Sequence, residues 1–82
     1  MGVNELLGLI INEKEQKELE YLLRREMDEL LYDFNYHGID PEVRLAIKDR
    51  YATLFNLYKR FASHSDCLHY TPTKYFANLK RK

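Results

Sequence analysis

Hydrophobic residues recur at intervals of three and four in two stretches of the chain, separated by a polar corner. In the first stretch the apolar positions that share a face are Leu19, Leu22, Leu23, Met27, Leu30, Leu31 and Phe34. In the second they alternate spacings of four and three, at Ile47, Tyr51, Leu54, Tyr58 and Phe61. Both periods are typical of amphipathic helices, which we predict over residues 13–35 and 41–62.

The corner between the two stretches, residues 34–42, carries signals that end one helix and begin another. Gly38 can adopt the positive φ that closes a helix, and Asp40-Pro41 is a capping residue followed by a first-turn proline. We therefore predict an antiparallel helical hairpin, and with it an all-α fold in a single domain of residues 1–82.

Residues 1–12 form a predicted N-terminal arm. Their leucines and isoleucines do not continue the apolar stripe of the first helix, which indicates a break between the arm and the helix. Asn12 and Glu15 have the spacing of a capping box, so we expect the helix to begin after Asn12. The arm is then a short helical turn or an extended segment, and a continuous helix from Asn4 is the alternative.

The last third of the chain, residues 63–82, has a less regular pattern. Serines, polar residues and Pro72 between positions 63 and 72 predict a loop. Residues 73–82 could form two helical turns anchored by Tyr75, Phe76 and Leu79, with a basic end that suits a helix C-terminus.

The second predicted helix has a wider apolar face than one neighbouring helix can cover. Val43, Ala46, Phe55 and Leu57 extend this face to about half of the circumference. The arm, the tail or a second copy of the hairpin could cover the excess. Because a chain of 82 residues buries little of its own surface, we expect a homodimer that forms a four-helix bundle.

Composition narrows the class of protein. Aromatic residues make up 13% of the chain and charged residues 32%. The aromatic content is too high for an intrinsically disordered chain, and the charged content is too high for a membrane span. We find no secretory signal, and the single cysteine cannot form an internal disulfide. These features predict a cytoplasmic protein with no membrane segment.

Charge is balanced overall but unevenly distributed. Residues 1–34 hold nine acids and four bases, and residues 35–82 hold four acids and nine bases. Folding of the hairpin places the acidic half beside the basic half, although the basic half could also face an anion.

Two charged residues fall on the predicted apolar faces. Glu26 lies among the leucines of the first helix, and Arg50 lies between Val43 and Leu54 of the second. A hairpin that turns between His37 and Gly38 places Glu26 and Arg50 at the same level. We predict an inward-pointing ion pair, within one subunit or across the dimer, that fixes register; an anion or ligand site around Arg50 is the alternative.

A short segment concentrates potential metal ligands. His64, Asp66, Cys67 and His69 all carry donor atoms that zinc or another transition metal accepts. His64, Cys67 and His69 lack the paired Cys or His elements of structural zinc sites, so the fourth ligand would have to be Asp66, His37 or a residue of another subunit. A polar loop with surface histidines is the simpler interpretation, and we expect no cofactor.

Basic residues of the second half suggest nucleic acid as an alternative partner. The candidates are Arg44, Lys48, Lys59, Arg60, Lys74, Lys80, Arg81 and Lys82, interleaved with Tyr70, Tyr75 and Phe76. An isoelectric point near 6.8 and a corner longer than a helix-turn-helix turn count against this interpretation.

No catalytic signature stands out in the chain. The three glycines lie at positions 2, 8 and 38, so no phosphate-binding glycine loop exists, and the Cys–His cluster lacks an orienting third group. We therefore predict a small, non-enzymatic interaction or regulatory protein that acts through helical surfaces. Tyr21 and Tyr32, on the outer face of the first helix, could mark such a surface.

Overall fold

The computed structural model describes residues 5–76, which form four α-helices and no strand. The helices are α1 (Glu13–Phe34), α2 (Pro41–Tyr58), α3 (His64–Leu68) and α4 (Pro72–Phe76). The all-α prediction is confirmed. Gln16, near the start of α1, donates to the carbonyl of Phe61 just beyond α2, over 3.3 Å, so the two long helices run antiparallel.

The start of α1 is fixed by its first-turn side chains. The Asn12 side chain accepts from the Glu15 backbone N–H at 2.8 Å, and the Glu15 carboxylate accepts from the Asn12 N–H at 3.0 Å. This reciprocal pair is the predicted capping box, and it satisfies two backbone donors that a helix start leaves free. Residues 5–12 precede it without regular secondary structure.

The corner ends α1 one residue earlier than predicted. The Asn35 side-chain amide donates to the carbonyl of Leu31 at 2.9 Å, which satisfies an acceptor in the last turn. Gly38 then has a φ of 85°, a conformation that favours glycine because it has no Cβ. Pro41 opens α2 as expected, but the Asp40 side chain makes no capping hydrogen bond.

The chain after α2 differs from the sequence-based prediction. α2 ends at Tyr58 rather than near residue 62, because the Arg60 and Phe61 N–H groups bond three residues back, to Leu57 and Tyr58. Where a loop was expected, Ser63 caps α3 by accepting from the Asp66 N–H at 3.2 Å. The polar residues that suggested a break therefore start a helix.

The core combines both long helices with the C-terminal segment. Its buried side chains are Leu23, Met27, Leu30, Phe34, Ile47, Tyr51, Tyr58 and Phe76. The Phe76 ring packs edge-on against Phe34 and Tyr51, with centroid distances of 4.7 and 5.0 Å. The tail, one of the three candidates for covering the wide face of α2, therefore packs on Tyr51 of that helix.

Some residues of the predicted apolar faces lie outside this core. Leu22, Val43 and Leu57 remain 49, 44 and 38% exposed. Among residues 5–76, no helix has both the length and the apolar composition required to cross a bilayer.

Candidate functional site

The described part of the arm, residues 5–12, contributes the most exposed hydrophobic side chains of residues 5–76. Leu6, Leu7 and Ile10 are 89, 91 and 98% exposed, and Leu9 is 74% exposed. Single exposed aliphatic residues are ordinary, but a run of them on one segment is typical of an interaction site.

Two apolar grooves lie between the arm and the long helices. The larger, of about 580 Å³, is lined by Leu7, Leu9 and Ile11 of the arm, by Leu57 of α2 and by Phe61 just beyond α2, together with Gly8 and Arg60. The smaller, of about 300 Å³, lies along α1 and is lined by Leu9, Ile11, Glu15, Glu18, Leu19 and Leu22. We call the exposed arm residues and these two grooves the arm surface.

The outer face of α1 is a second, smaller exposed area. Tyr21 and Tyr32 are 49 and 75% exposed, as their positions predict. Asp28, also exposed on α1, accepts a hydrogen bond from Tyr70 of the C-terminal segment. The C-terminal segment therefore covers part of α1 as well as α2.

A polar cleft of about 360 Å³ opens where the C-terminal segment crosses the hairpin, and we call it the tyrosine cleft. It is lined by Arg24, Asp28, Tyr58, Asp66, His69, Tyr70 and Tyr75. Sequence reasoning missed it because these residues come from α1, α2, α3 and the chain around α4. Only the long-range packing of the tail brings them together.

Tyrosine hydroxyls tie the C-terminal segment to the hairpin. Tyr51 donates to the carbonyl of Tyr70 at 2.8 Å, and Tyr70 donates to Asp28 at 3.1 Å. Tyr75 donates to the carbonyl of His69 at 2.6 Å within the segment itself. Burial is the main reason why the pKa of Tyr51 lies above its usual value.

The pKa of Tyr70 is raised as well, to about 12, first by burial and then by its hydrogen bond to Asp28. A tyrosine in the unfolded chain titrates near 10. Neutral Tyr70 therefore makes its full contribution to the free energy of unfolding below pH 10. This contribution is lost as the pH rises from 10 through about 12.

Tyr58 differs from the other tyrosines of the cleft. Its side chain is 0% exposed, yet its hydroxyl has no hydrogen-bond partner among the described residues. Tyr58 is nevertheless the main cause of a raised pKa at Arg24, through hydrogen bonding and charge. The Tyr58 hydroxyl and the Arg24 guanidinium are therefore close together.

The predicted charge pair is a surface contact. Arg50 Nη2 lies 3.5 Å from Glu26 Oε2, within one chain. The side chains are 60 and 40% exposed, so neither charge points into the core as we expected from the sequence. Leu23, Met27 and Leu30 occupy the centre of the buried face of α1, which leaves Glu26 at its edge.

Because the Glu26–Arg50 pair is exposed, we expect Glu26→Ala to change the free energy of unfolding by less than about 0.5 kcal/mol. Urea denaturation measures this change. Glu29→Ala is the matched control, since Glu29 forms an exposed 3.5 Å pair with Arg25 inside α1. A loss of about 2 kcal/mol for Glu26→Ala alone would show that the contact is desolvated and structurally important.

The candidate metal ligands do not converge. No three His, Cys, Asp or Glu side chains within residues 5–76 form a group that could hold a metal ion. Cys67 is half-buried against the core, whereas His64 and Asp66 are exposed on α3 and His69 lies beyond its end. A helix at these positions separates side chains that a loop could have gathered.

The candidate basic residues that the structure describes lie on α2, α4 and the segment that follows α2. Arg44 and Lys59 lie over the rings of Phe34 and Phe55, at 5.1 and 5.7 Å from the ring centroids. Lys74 lies 5.7 Å from the Tyr75 centroid. Lys48 is near Pro72, and Arg60 lies beside the arm. Lys80, Arg81 and Lys82 lie outside the described residues.

Comparisons with protein-family models, with curated proteins and with solved structures found no significant match to this chain.

Proposed function

We propose that this chain is a small, non-enzymatic intracellular interaction protein that pairs with a second copy of itself through the arm surface. The observation that carries the proposal is the row of aliphatic arm residues that project into solvent, Leu6, Leu7, Leu9 and Ile10. A reducing compartment suits the single free cysteine, Cys67.

A second copy is the occupant that the shape of the arm surface favours. A twofold interface requires one patch that is complementary to itself. The arm surface meets this requirement, because it contains both projecting side chains, such as Leu7 and Ile10, and apolar grooves that can receive them. Transfer of these side chains from water into the partner's grooves would supply the driving force.

The proposed dimer places two hairpins together, so that four long helices meet as in a helical bundle. The apolar pattern of α2 suggests a dimer contact through the wide face of that helix, whereas the proposed contact uses the arm surface. Phe76 packs on Tyr51 of α2, and the apolar surface available to the partner includes the arm, Leu22, Val43 and Leu57.

Light scattering at increasing protein concentration tests this proposal. We expect the wild-type chain to approach twice its single-chain mass of 9.9 kDa, and the double variant Leu7→Ser with Ile10→Ser to remain at the single-chain mass. Both side chains are more than 90% exposed, so the substitutions leave the core intact, and circular dichroism should show unchanged helicity.

Leu68→Ser is the matched control for the double variant. Leu68 is 56% exposed on α3 and lines neither groove of the arm surface, so this variant should dimerise like the wild type. A single-chain mass for the wild type at all concentrations, or a dimer that survives the arm substitutions, would contradict the proposal.

A further inference from the structure

The arm divides the arm surface into two sides of opposite charge. Leu9 and Ile11 line both grooves, so the arm lies between them. The groove on the α1 side also contains Glu15 and Glu18, whereas the groove on the α2 side contains Arg60. The α1 side of the arm surface is therefore acidic, and its α2 side is basic.

Glu18 and Arg60 are the two charges of this surface that have no ionic partner within residues 5–76. Both residues are exposed, and the salt bridges of the described chain join other side chains. Glu15 differs from them, because its carboxylate accepts the Asn12 N–H in the capping box. The Glu18 carboxylate and the Arg60 guanidinium are therefore the charges that a partner molecule can pair with.

A twofold axis can place two arm surfaces face to face in two ways. An axis that crosses the long helices brings the α1 side of one copy onto the α1 side of the other, so acidic meets acidic and basic meets basic. An axis parallel to the long helices brings the α1 side of each copy onto the α2 side of the other. Facing like charges oppose association and facing opposite charges favour it, so the charges select the parallel axis.

The heights of the two charges along the hairpin fit this second arrangement. Gln16 of α1 donates to the carbonyl of Phe61, so these two residues lie at the same height. Glu18 follows Gln16 by two residues, and Arg60 precedes Phe61 by one. Because the helices are antiparallel, both steps lead towards the corner. A twofold axis parallel to the helices preserves height, so Glu18 of each copy comes level with Arg60 of the other.

We propose that Glu18 of each copy pairs with Arg60 of the other, and that these two equivalent ion pairs determine how the two copies are oriented. The inference rests on the dimer of the proposed function and names the residues that decide which sides of the arm surface meet. The aliphatic arm residues supply the apolar contact, and the charges exclude the arrangement in which like sides face each other.

Charge reversal in the full chain, with the dimer dissociation constant measured by sedimentation equilibrium, tests the pairing. Arg60→Glu turns both attractive contacts into repulsive ones, so we expect the dissociation constant to rise by about tenfold to hundredfold. Glu18→Arg should have the same effect for the same reason. The double variant Glu18→Arg with Arg60→Glu forms both pairs with exchanged signs, and its dissociation constant should lie within about threefold of the wild-type value.

Lys59→Glu is the matched control for Arg60→Glu. Lys59 is the neighbouring base and is also exposed, but its ammonium lies over the Phe55 ring and it lines neither groove. The reversal changes the net charge by the same amount, and we expect the dissociation constant to change by less than about threefold.

An equimolar mixture of the two single variants checks that each remains folded. Both contacts in the mixed dimer again join opposite charges, so the mixture should dimerise about as tightly as the wild type. A mixture that stays at the single-chain mass would contradict the pairing.

The possible failures identify which inference is wrong. A wild-type chain that never dimerises would overturn both the proposed function and the pairing. A wild-type dimer whose dissociation constant changes by less than about threefold in each single reversal would leave the dimer standing and overturn the pairing. A double variant that dimerises no better than the single variants would also overturn it, since the two charges would then act separately.

Discussion

Replacing Phe76 by alanine is expected to lower the free energy of unfolding by about 3–5 kcal/mol, the usual range for deleting a buried phenylalanine ring. Phe76 is 2% exposed and packs edge-on against Phe34 and Tyr51. Its removal leaves a cavity at the point where the C-terminal segment meets both long helices. Because domains of this size have a stability of only about 5–15 kcal/mol, a large part of the population could unfold at physiological temperature.

Urea denaturation monitored by circular dichroism measures the loss of unfolding free energy in Phe76→Ala, and Tyr32→Ala provides the control. Tyr32 is also an aromatic residue, but its side chain is 75% exposed on α1, so we expect a change within about 0.5 kcal/mol. If Phe76→Ala were as mild as Tyr32→Ala, α4 would not belong to the folded core in solution.

The first helix could be located from sequence because its signals are local. The capping box at Asn12 and Glu15 involves residues three apart, and the apolar stripe of α1 extends over about four turns. The glycine at the corner is equally local, since a positive φ at position 38 depends on the residue there and its immediate neighbours. Such features do not require knowledge of the rest of the fold.

The structure of the C-terminal segment could not be predicted from local sequence patterns. α3 and α4 have five residues each, which is too short for a helical period to be visible. The burial of Phe76 depends on contacts with residues 42 and 25 positions earlier in the chain, Phe34 and Tyr51. Sequence alone offered the tail as one of three possible covers of α2, and only packing shows that Phe76 lies against Tyr51.

The Glu26–Arg50 contact could be predicted from the sequence only in part. Counting residues outward from the corner places the two charges at the same level, and they lie 3.5 Å apart. The same counting does not determine how far each helix is rotated about its axis, and that rotation decides exposure. Once Phe76 and Tyr58 occupy the interior, the charged pair is left at the edge of the interface.

The tyrosine cleft had no sequence signal at all. Three of its hydrogen bonds join a side-chain hydroxyl to a main-chain carbonyl or to a distant carboxylate, and such partners leave no motif. Which hydroxyls are bonded and which one is free follows only from the coordinates.

Tyr51→Phe and Tyr58→Phe are expected to have different effects on stability, although both tyrosines are 0% exposed and lie in α2. Tyr51→Phe removes a 2.8 Å hydrogen bond and leaves the part-buried carbonyl of Tyr70 without this donor. We expect a loss of about 1–2 kcal/mol, within the range for an unsatisfied buried acceptor. Tyr58→Phe removes a hydroxyl with no partner, so stability should be unchanged or higher by up to about 1 kcal/mol.

Measuring both variants in parallel by urea denaturation isolates the contribution of the hydrogen bond. The two substitutions delete the same atom from side chains of equal burial, so the change in packing and in hydrophobic area cancels between them. The difference then reports the bond from Tyr51 to the C-terminal segment. Equal losses in both variants would mean that Tyr58 is hydrogen-bonded in solution, for example to water inside the cleft, and that its hydroxyl already contributes to stability.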